Sequence, residues 1–248
     1  MAGKEMFANC VNLATITGSI LSLTDDAEWR AVSTVGNDFF FYTFHNTALT
    51  TLPNGSFDIS TVTAVGDYFF GSTFSATPLL SLPNGSFNTT NLTTVGNDFF
   101  SSTFSSAKLV NLPDGSFNTS NITTGNKNFL SATFFQNSLI SLPANSFNIS
   151  NITNVDEGFL SYTFYNNHLT TLPANSFIST LSAKEINKND VFKETFYDNH
   201  QLAFDISTMP PYASVEPDAI KNTFYGTKTS LSPNAGRTEA QIKRRGIQ

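Results

Sequence analysis

Residues 65–87 read VGDYFFGSTFSATPLLSLPNGSF, and residues 95–117 repeat the pattern as VGNDFFSSTFSSAKLVNLPDGSF, thirty positions later. The pair Thr-Phe marks the same unit along the chain, at Thr43, Thr73, Thr103, Thr133 and Thr163 and, with looser spacing, at Thr195 and Thr223. Five copies without an insertion or deletion indicate a fixed repeat length, which stacked repeats require because each unit packs on the previous one. We therefore predict a repeat solenoid of about seven coils.

Each part of the unit predicts a structural element. Leu-x-x-Leu-Pro, as in Leu109 to Pro113, predicts a short parallel β-strand that the proline ends, because proline cannot donate to a ladder. Phe100 and Phe104 lie four residues apart, and Asn97 or Asp98 precedes them as a possible cap. This spacing predicts a short helix with both rings on one face. We expect one short strand and one short helix in every coil.

Two positions of the unit exchange Gly with Asn or Asp, residues that tolerate positive φ. The first lies after the proline, at Gly55, Gly85, Gly115, Asn145 and Asn175, and the second lies before the Phe pair, at Gly36, Gly66, Gly96, Asn126 and Asp156. We predict left-handed turns at both corners of the coil. Gly125 replaces a valine that the neighbouring repeats share, so we also expect a local packing defect there.

Phenylalanine forms the expected core. Of the 25 phenylalanines, 20 fall on four rows that recur at the repeat spacing. The rows begin at Phe39, Phe40, Phe44 and Phe57. Copies of one apolar position bury each other when repeats stack, which no single repeat can do alone.

The regularity changes at both ends and divides the chain into three parts. We expect an irregular N-terminal capping coil over residues 1–35, a regular array of 30-residue repeats over 36–208, and a degenerate repeat with a C-terminal cap over 209–248. The atypical ends fit the general rule that terminal repeats close a repeat array.

The unit resembles the leucine-rich repeats of BspA-like bacterial surface proteins, which carry Ile-Gly-x-x-Ala-Phe, a Cys, and then Leu-x-x-Ile-x-Ile-Pro in the same order. The opening segment from Met6 to Leu13 looks closer still to the Met-Phe-x-x-Cys-x-x-Leu variant of that group. The 30-residue period is slightly longer than that of ordinary leucine-rich repeats. The resemblance implies a leucine-rich-repeat-like fold and a secreted or cell-surface adhesion protein that binds a protein or glycan ligand.

The composition disfavours several classes of function. A net charge of −6 and a pI of about 4.9 argue against binding to nucleic acid, and no run of 18 apolar residues exists to span a membrane. We find no nucleophile elbow, phosphate loop or zinc spacing, and the scattered acids are explained as turn and cap residues. We therefore expect no catalytic residue, no metal and no cofactor, with a polysaccharide-active enzyme as a distant alternative.

Positions that vary between repeats are free to recognise a ligand. They surround the Thr-Phe pair and form one stripe along the array, whose aromatic and imidazole members are the candidate ligand-binding residues. These are Tyr42, His45, Phe135, Tyr162, Tyr165, His168, Tyr197, His200 and Tyr225. The expected function is a non-enzymatic interaction module. The alternative is a structural protein that assembles with copies of itself into a fibre or surface layer.

Overall fold

The computed structural model describes residues 3–18, 20–22, 32–114, 117–143, 149, 151–173, 188–203 and 222–228. The regular elements of this part of the chain are seven strands of two residues each, without a helix. The strands are β1 Leu21–Ser22, β2 Thr34–Val35, β3 Phe57–Asp58, β4 Ala64–Val65, β5 Phe87–Asn88, β6 Thr124–Gly125 and β7 Asn154–Val155.

All strand pairs are parallel and join one repeat to the next. The pairs are β1–β3, β3–β5, β2–β4 and β6–β7. The register Val35 to Val65 and Phe57 to Phe87 matches each residue with its own copy thirty positions later. We call each repeat a layer: layers 1 to 5 begin at Val35, Val65, Val95, Gly125 and Val155, and residues 188–203 and 222–228 belong to layers 6 and 7.

The segment that follows each Val-Gly corner is a chain of tight turns. In layer 1, the amides of Phe41, Thr43 and His45 each donate to the carbonyl three residues earlier. The amides of the alternate residues donate instead to the next layer, as Phe40 does to Phe69 at 2.9 Å. Every fourth residue has positive φ, at Asp38 (59°), Tyr42 (55°) and Asn46 (53°). We call residues 38–46, and the equivalent residues of the other layers, the turn segment.

The predicted fold class is wrong, since the described residues contain only short paired parallel strands and no helix, and they do not show the leucine-rich-repeat-like solenoid with a strand and a helix in each coil. An α-helix needs negative φ throughout and a hydrogen bond to the fourth preceding carbonyl, and the turn segment offers neither. The side chains of Phe100 and Phe104 still share one buried face, because a chain of turns also repeats every four residues.

Leu-x-x-Leu-Pro is not a strand either. Leu49 and Leu52 are both buried although they lie three residues apart, whereas a pleated strand turns alternate side chains to the same face. Adjacent layers are joined through this segment by few hydrogen bonds, such as Val110 N to Leu80 O at 3.1 Å. The strands form instead at the residues around Val35 and Phe57, where the layers pair residue by residue.

The phenylalanine rows form the core, as the sequence predicts. The row from Phe44 to Phe224 is continuous over the described layers, with nearly parallel rings and centroids 5.2–5.6 Å apart. Neighbouring rows meet edge to face, as Phe57 meets Phe70 at 85°. Both arrangements are favourable geometries for aromatic pairs. Side chains that stack on their own copies thus join the layers, in addition to the backbone hydrogen bonds between turn segments.

Buried polar rows satisfy the backbone between layers. Thr103 Oγ1 donates to Phe70 O of the previous layer and to Phe100 O of its own, both at 2.8 Å, and Thr133 and Thr163 repeat this arrangement. Four residues after Thr133, Asn137 Nδ2 donates to Phe104 O at 2.7 Å, and Asn137 Oδ1 accepts from Leu109 N. These side chains fix the spacing and register of successive layers because a buried carbonyl without a partner is costly.

Positive φ is observed at the first of the two predicted corners but not at the second. Gly55 and Gly85 have positive φ as expected, whereas Gly115, Asn145 and Asn175 lie outside the described residues. At the second corner, positive φ falls two residues later than predicted, at Asp38 and its equivalents. Gly66 is instead needed for a close approach, because a Cβ there would lie 2.6 Å from Asn37 N of the previous layer.

The expected packing defect at Gly125 is absent. A Cβ on Gly125 would lie 2.1 Å from Cε2 of Phe159, so the Phe159 ring occupies the space that valine fills in the neighbouring layers. The ring is fully buried and stacks on Phe129 at 5.3 Å.

The first described residues join the stack. The amides of Gly3, Glu5, Phe7 and Asn9 donate to layer 1 in the alternating pattern of a turn segment, and Phe7 stacks on Phe44 at 5.3 Å. Residues 3–9 therefore form a partial layer on layer 1. Among the described residues, no helix is long and apolar enough to cross a membrane.

Candidate functional site

Four of the predicted stripe residues form a stack of rings on the surface, which we call the aromatic ladder: Phe135, Tyr165, Tyr197 and Tyr225. Their centroids are 4.8, 4.8 and 4.7 Å apart, and neighbouring ring planes differ by 5–19°. Each residue directly follows the buried phenylalanine of a Thr-Phe pair. The first three rings are partly buried, and Tyr225 is 38% exposed.

The turn segment positions the ladder. Phe134, Phe164, Phe196 and Phe224 point into the core, so the next residue faces outward. The residue after that has positive φ, as in Asn166 at 50° and Asp198 at 57°, and turns the chain back towards the core. Because every layer repeats this geometry in register, any aromatic residue at the position stacks on its copy in the next layer.

The ladder stops at layer 4. The equivalent residues of layers 3, 2 and 1 are Ser105, Ser75 and His45, so small side chains separate the ladder from the imidazole. His45 Nδ1 lies 2.6 Å from Ser75 Oγ, and Tyr42 packs edge-on against His45 with centroids 4.9 Å apart. The structure therefore divides the predicted stripe into a four-ring ladder and a separate Tyr42–His45 pair.

Three further predicted residues, Tyr162, His168 and His200, lie on layers 5 and 6. Tyr162 is tilted against Tyr165 with centroids 6.2 Å apart, and Lys193 Nζ lies 5.6 Å above its ring. His168 and His200 are exposed at equivalent positions of layers 5 and 6, and His200 Nδ1 lies 3.0 Å from Gly226 O. Seven of the nine predicted residues thus lie on layers 4 to 7, and ring contacts join five of them, the ladder and Tyr162.

Two carboxylates of layer 6 act on the ladder. Glu194 and Asp198 lie on layer 6, and both contribute, after burial, to raising the pKa of Tyr165. The pKa of Tyr197 is raised by burial and then by Asp198. Asp190 is paired with Lys193 at 3.0 Å. With Lys193 paired to Asp190, Glu194 and Asp198 are two carboxylates of layer 6 that lack an ion-pair partner within the described residues.

Sequence reasoning missed two features of the stripe. The third residue after each Thr-Phe pair is buried in layers 1 to 6, where it serves the stack rather than a ligand. These residues are Thr47, Thr77, Ala107, Asn137, Asn167 and Asn199. Glu194 and Asp198 were not predicted because they occupy the positive-φ positions, which the helix interpretation assigned to ordinary turns of helix. Asp or Asn at the outer positive-φ positions, eight residues apart as in Asp190 and Asp198, is the partial signal in the sequence, whereas the middle position, which holds Glu194, carries no such signal.

The described residues contain no group of three or more His, Cys, Asp or Glu side chains that could hold a metal ion. The exposed Cys10 is a free thiol. The side chains in and around the ladder carry aromatic rings, hydroxyl groups, imidazoles and carboxylates, which can form van der Waals contacts, hydrogen bonds and ion pairs.

Parallel layers with an aromatic ladder along one side define a repeat protein whose lateral surface presents ordered side chains. Residues 37–172, more than half of the chain, match a family described as "Mycoplasma protein of unknown function, DUF285". The chain belongs to this family. No curated protein matches it at a significant level.

Proposed function

We propose that this chain is a non-enzymatic interaction module of a secreted or cell-surface protein, and that the aromatic ladder is the centre of its binding surface. The observation that carries the proposal is the ladder itself: three tyrosines and a phenylalanine at the surface, where layers 2 and 3 of the same stripe have serine. Clustered tyrosines supply large, amphipathic contact area and are enriched at the centres of interfaces.

The cell-surface setting is supported by the resemblance of the repeat to BspA-like bacterial surface proteins. The ligand class that the resemblance implies is a protein or a glycan. The acidic character of the chain supports a partner other than nucleic acid.

Retention on printed arrays of extracellular proteins and glycans tests the proposal. The double variant Tyr165→Ser, Tyr197→Ser introduces the residue that layers 2 and 3 already carry at this position, so it is suited to the fold. We expect the wild-type chain to be retained and the double variant to bind roughly tenfold more weakly or worse. Leu80→Ser removes an exposed apolar side chain of layer 2 and should bind like the wild type. Equal retention of the double variant would contradict the proposal.

A second candidate is assembly of copies end to end, and one observation favours it. The partial layer at residues 3–9 exposes Met6 and Phe7, and Val11 beside it is 60% exposed. Exposed apolar side chains on the end of a stack suit the addition of another layer. If assembly is the function, Phe7→Ser should shorten the particles seen by electron microscopy, and unchanged particles would count against these side chains as the contact.

A further inference from the structure

The ladder presents ring edges to solvent rather than ring faces. Tyr165 stacks on Phe135 on one side and on Tyr197 on the other, and Tyr197 stacks on Tyr165 and Tyr225. At 4.7–4.8 Å between nearly parallel rings, no ligand group fits between them. The accessible parts of the two central tyrosines are therefore their edges and hydroxyl groups.

This orientation favours some ligands over others. A sugar ring binds aromatic residues by laying its C–H groups on a ring face, and the central rings offer no free face. A ring edge carries partial positive charge, and the phenol donates a hydrogen bond, so the ladder suits carbonyl oxygens and other aromatic faces. Backbone carbonyls and aromatic side chains of a protein provide both.

The ladder has the dimensions of a short extended segment. Its three spacings span about 14 Å, which an extended chain rising about 3.3 Å per residue covers with about four residues. The spacing between neighbouring rings of the aromatic ladder also equals the distance between neighbouring β-strands of a sheet, about 4.8 Å.

The flanking charge determines what kind of segment fits. Asp198 directly follows Tyr197 and Glu194 lies three residues before it in the same layer, and neither is neutralised by an ion pair within the described residues. Lysine or arginine side chains on the bound segment would neutralise them, and such pairing across an interface gives specificity and speeds association.

We propose that the aromatic ladder binds an extended, basic segment of a partner protein, with backbone carbonyls and aromatic groups against the tyrosine edges and Lys or Arg beside Glu194 and Asp198. This inference rests on the proposed function and narrows its ligand class from protein or glycan to protein.

The probes are synthetic peptides of about twelve residues in three classes, rich in Lys and Arg, rich in Asp and Glu, or uncharged, together with a panel of neutral and acidic glycans. We expect the full chain to retain the basic class, with affinity that falls as salt rises. Glu194→Gln with Asp198→Asn should weaken binding roughly tenfold and flatten the salt dependence. Tyr165→Phe with Tyr197→Phe keeps the rings, as Phe135 does naturally, and should also weaken binding because the hydroxyl donors are lost. Leu80→Ser is the control.

The outcomes separate the two proposals. The Phe135 face towards Ser105 is not covered by a ring of layer 3, so a sugar ring could bind there. Retention of glycans alone, lost in Phe135→Ser but kept in the double Tyr→Phe variant, would overturn the assignment of a protein ligand. It would leave the proposal of an interaction module standing. Equal retention of all peptide classes, unaffected by the carboxylate variant, would overturn the basic segment. Retention of no probe would overturn both the inference and the ladder as a binding surface.

Discussion

Single residues decide how closely the layers approach each other, and Gly125 is the clearest case. Valine at this position in four other layers makes Gly125→Val look like a repair of the repeat. The structure predicts the opposite, because Phe159 already fills the space and its fully buried ring is held against Phe129. We expect Gly125→Val to lower the free energy of unfolding by about 1–3 kcal/mol, the usual cost of overpacking a core.

Urea denaturation of the variant and the wild type measures this effect. Val110→Ile, an enlargement of a partly exposed side chain, is a control that should change stability little. A Gly125→Val variant more stable than the wild type would show that the space beside Gly125 is empty.

Asp98 is a buried carboxylate whose charge opposes folding. Burial raises its pKa, although hydrogen bonds from Asn128, Ser101 and Tyr68 lower it in part. A carboxyl group with a raised pKa destabilises the fold above that pKa, and the penalty disappears as the pH falls through the raised pKa towards the ordinary value of 3.8. Asp98→Asn, which copies Asn128 at the same position of layer 4, should therefore raise the denaturation midpoint at neutral pH.

The advantage of Asp98→Asn should shrink as the pH is lowered towards 4, which a series of denaturation curves at different pH measures. Asp38→Asn is the matched control, because Asp38 occupies the same position in layer 1 but is paired with Lys4 at 3.2 Å. It should give no gain. An advantage of Asp98→Asn that is constant at all pH values would show that the charge of Asp98 is not its cause.

At the scale of the element, the turn segment is the feature that distinguishes this fold. Ala132 lies in it with a φ of 52°. A left-handed alanine costs about 1–2 kcal/mol, and glycine avoids that cost while losing about 0.5–1 kcal/mol of chain entropy. Ala132→Gly should therefore stabilise the protein by up to about 1 kcal/mol, whereas in a helix the same change would destabilise it by about 1 kcal/mol.

Thermal and urea denaturation report the sign of this change. Ala64→Gly in β4 is the control, since strand backbone gains nothing from glycine and should lose about 0.5–1 kcal/mol. Loss of stability in Ala132→Gly similar to that in Ala64→Gly would contradict the turn segment.

The turn segment also marks the limit of what the sequence reveals. The repeat length, the phenylalanine rows and the Thr103 row are predictable because identical residues recur at a fixed spacing. A spacing of four between Phe100 and Phe104 does not separate a helix from a chain of turns, since both return to the same face after about four residues. Residues with positive φ distinguish a chain of turns from a helix. Asp98, Asn128 and Gly158 occupy one such position, and they look like helix caps when each repeat is considered alone.

The candidate site was predictable in its members but not in its arrangement. Variation between repeats identified the tyrosines. The same criterion also selected the position of Asn137 and Asn167, which is buried because an amide there bonds two layers at once. The stacking of rings from layers 4 to 7, and the serine gap before them, follow only from the register of the layers.

At the scale of the whole molecule, the described layers stack along one axis, and the stack has two kinds of surface, its sides and its end. The sides present the aromatic ladder, and the first described layer presents Met6 and Phe7. An interaction module works through its side as a single chain, whereas a fibre or layer works through contacts between chains. We propose that the side of the stack, rather than its end, is the working surface.

Light scattering of the purified chain over a wide concentration range tests this claim most directly. If the ladder binds a different partner, as we propose, we expect a particle of 27.0 kDa at every concentration. Growth into long particles as the concentration rises, undiminished when Tyr165 and Tyr197 are replaced by serine, would show that the chain works by association with its own copies, and would contradict the account.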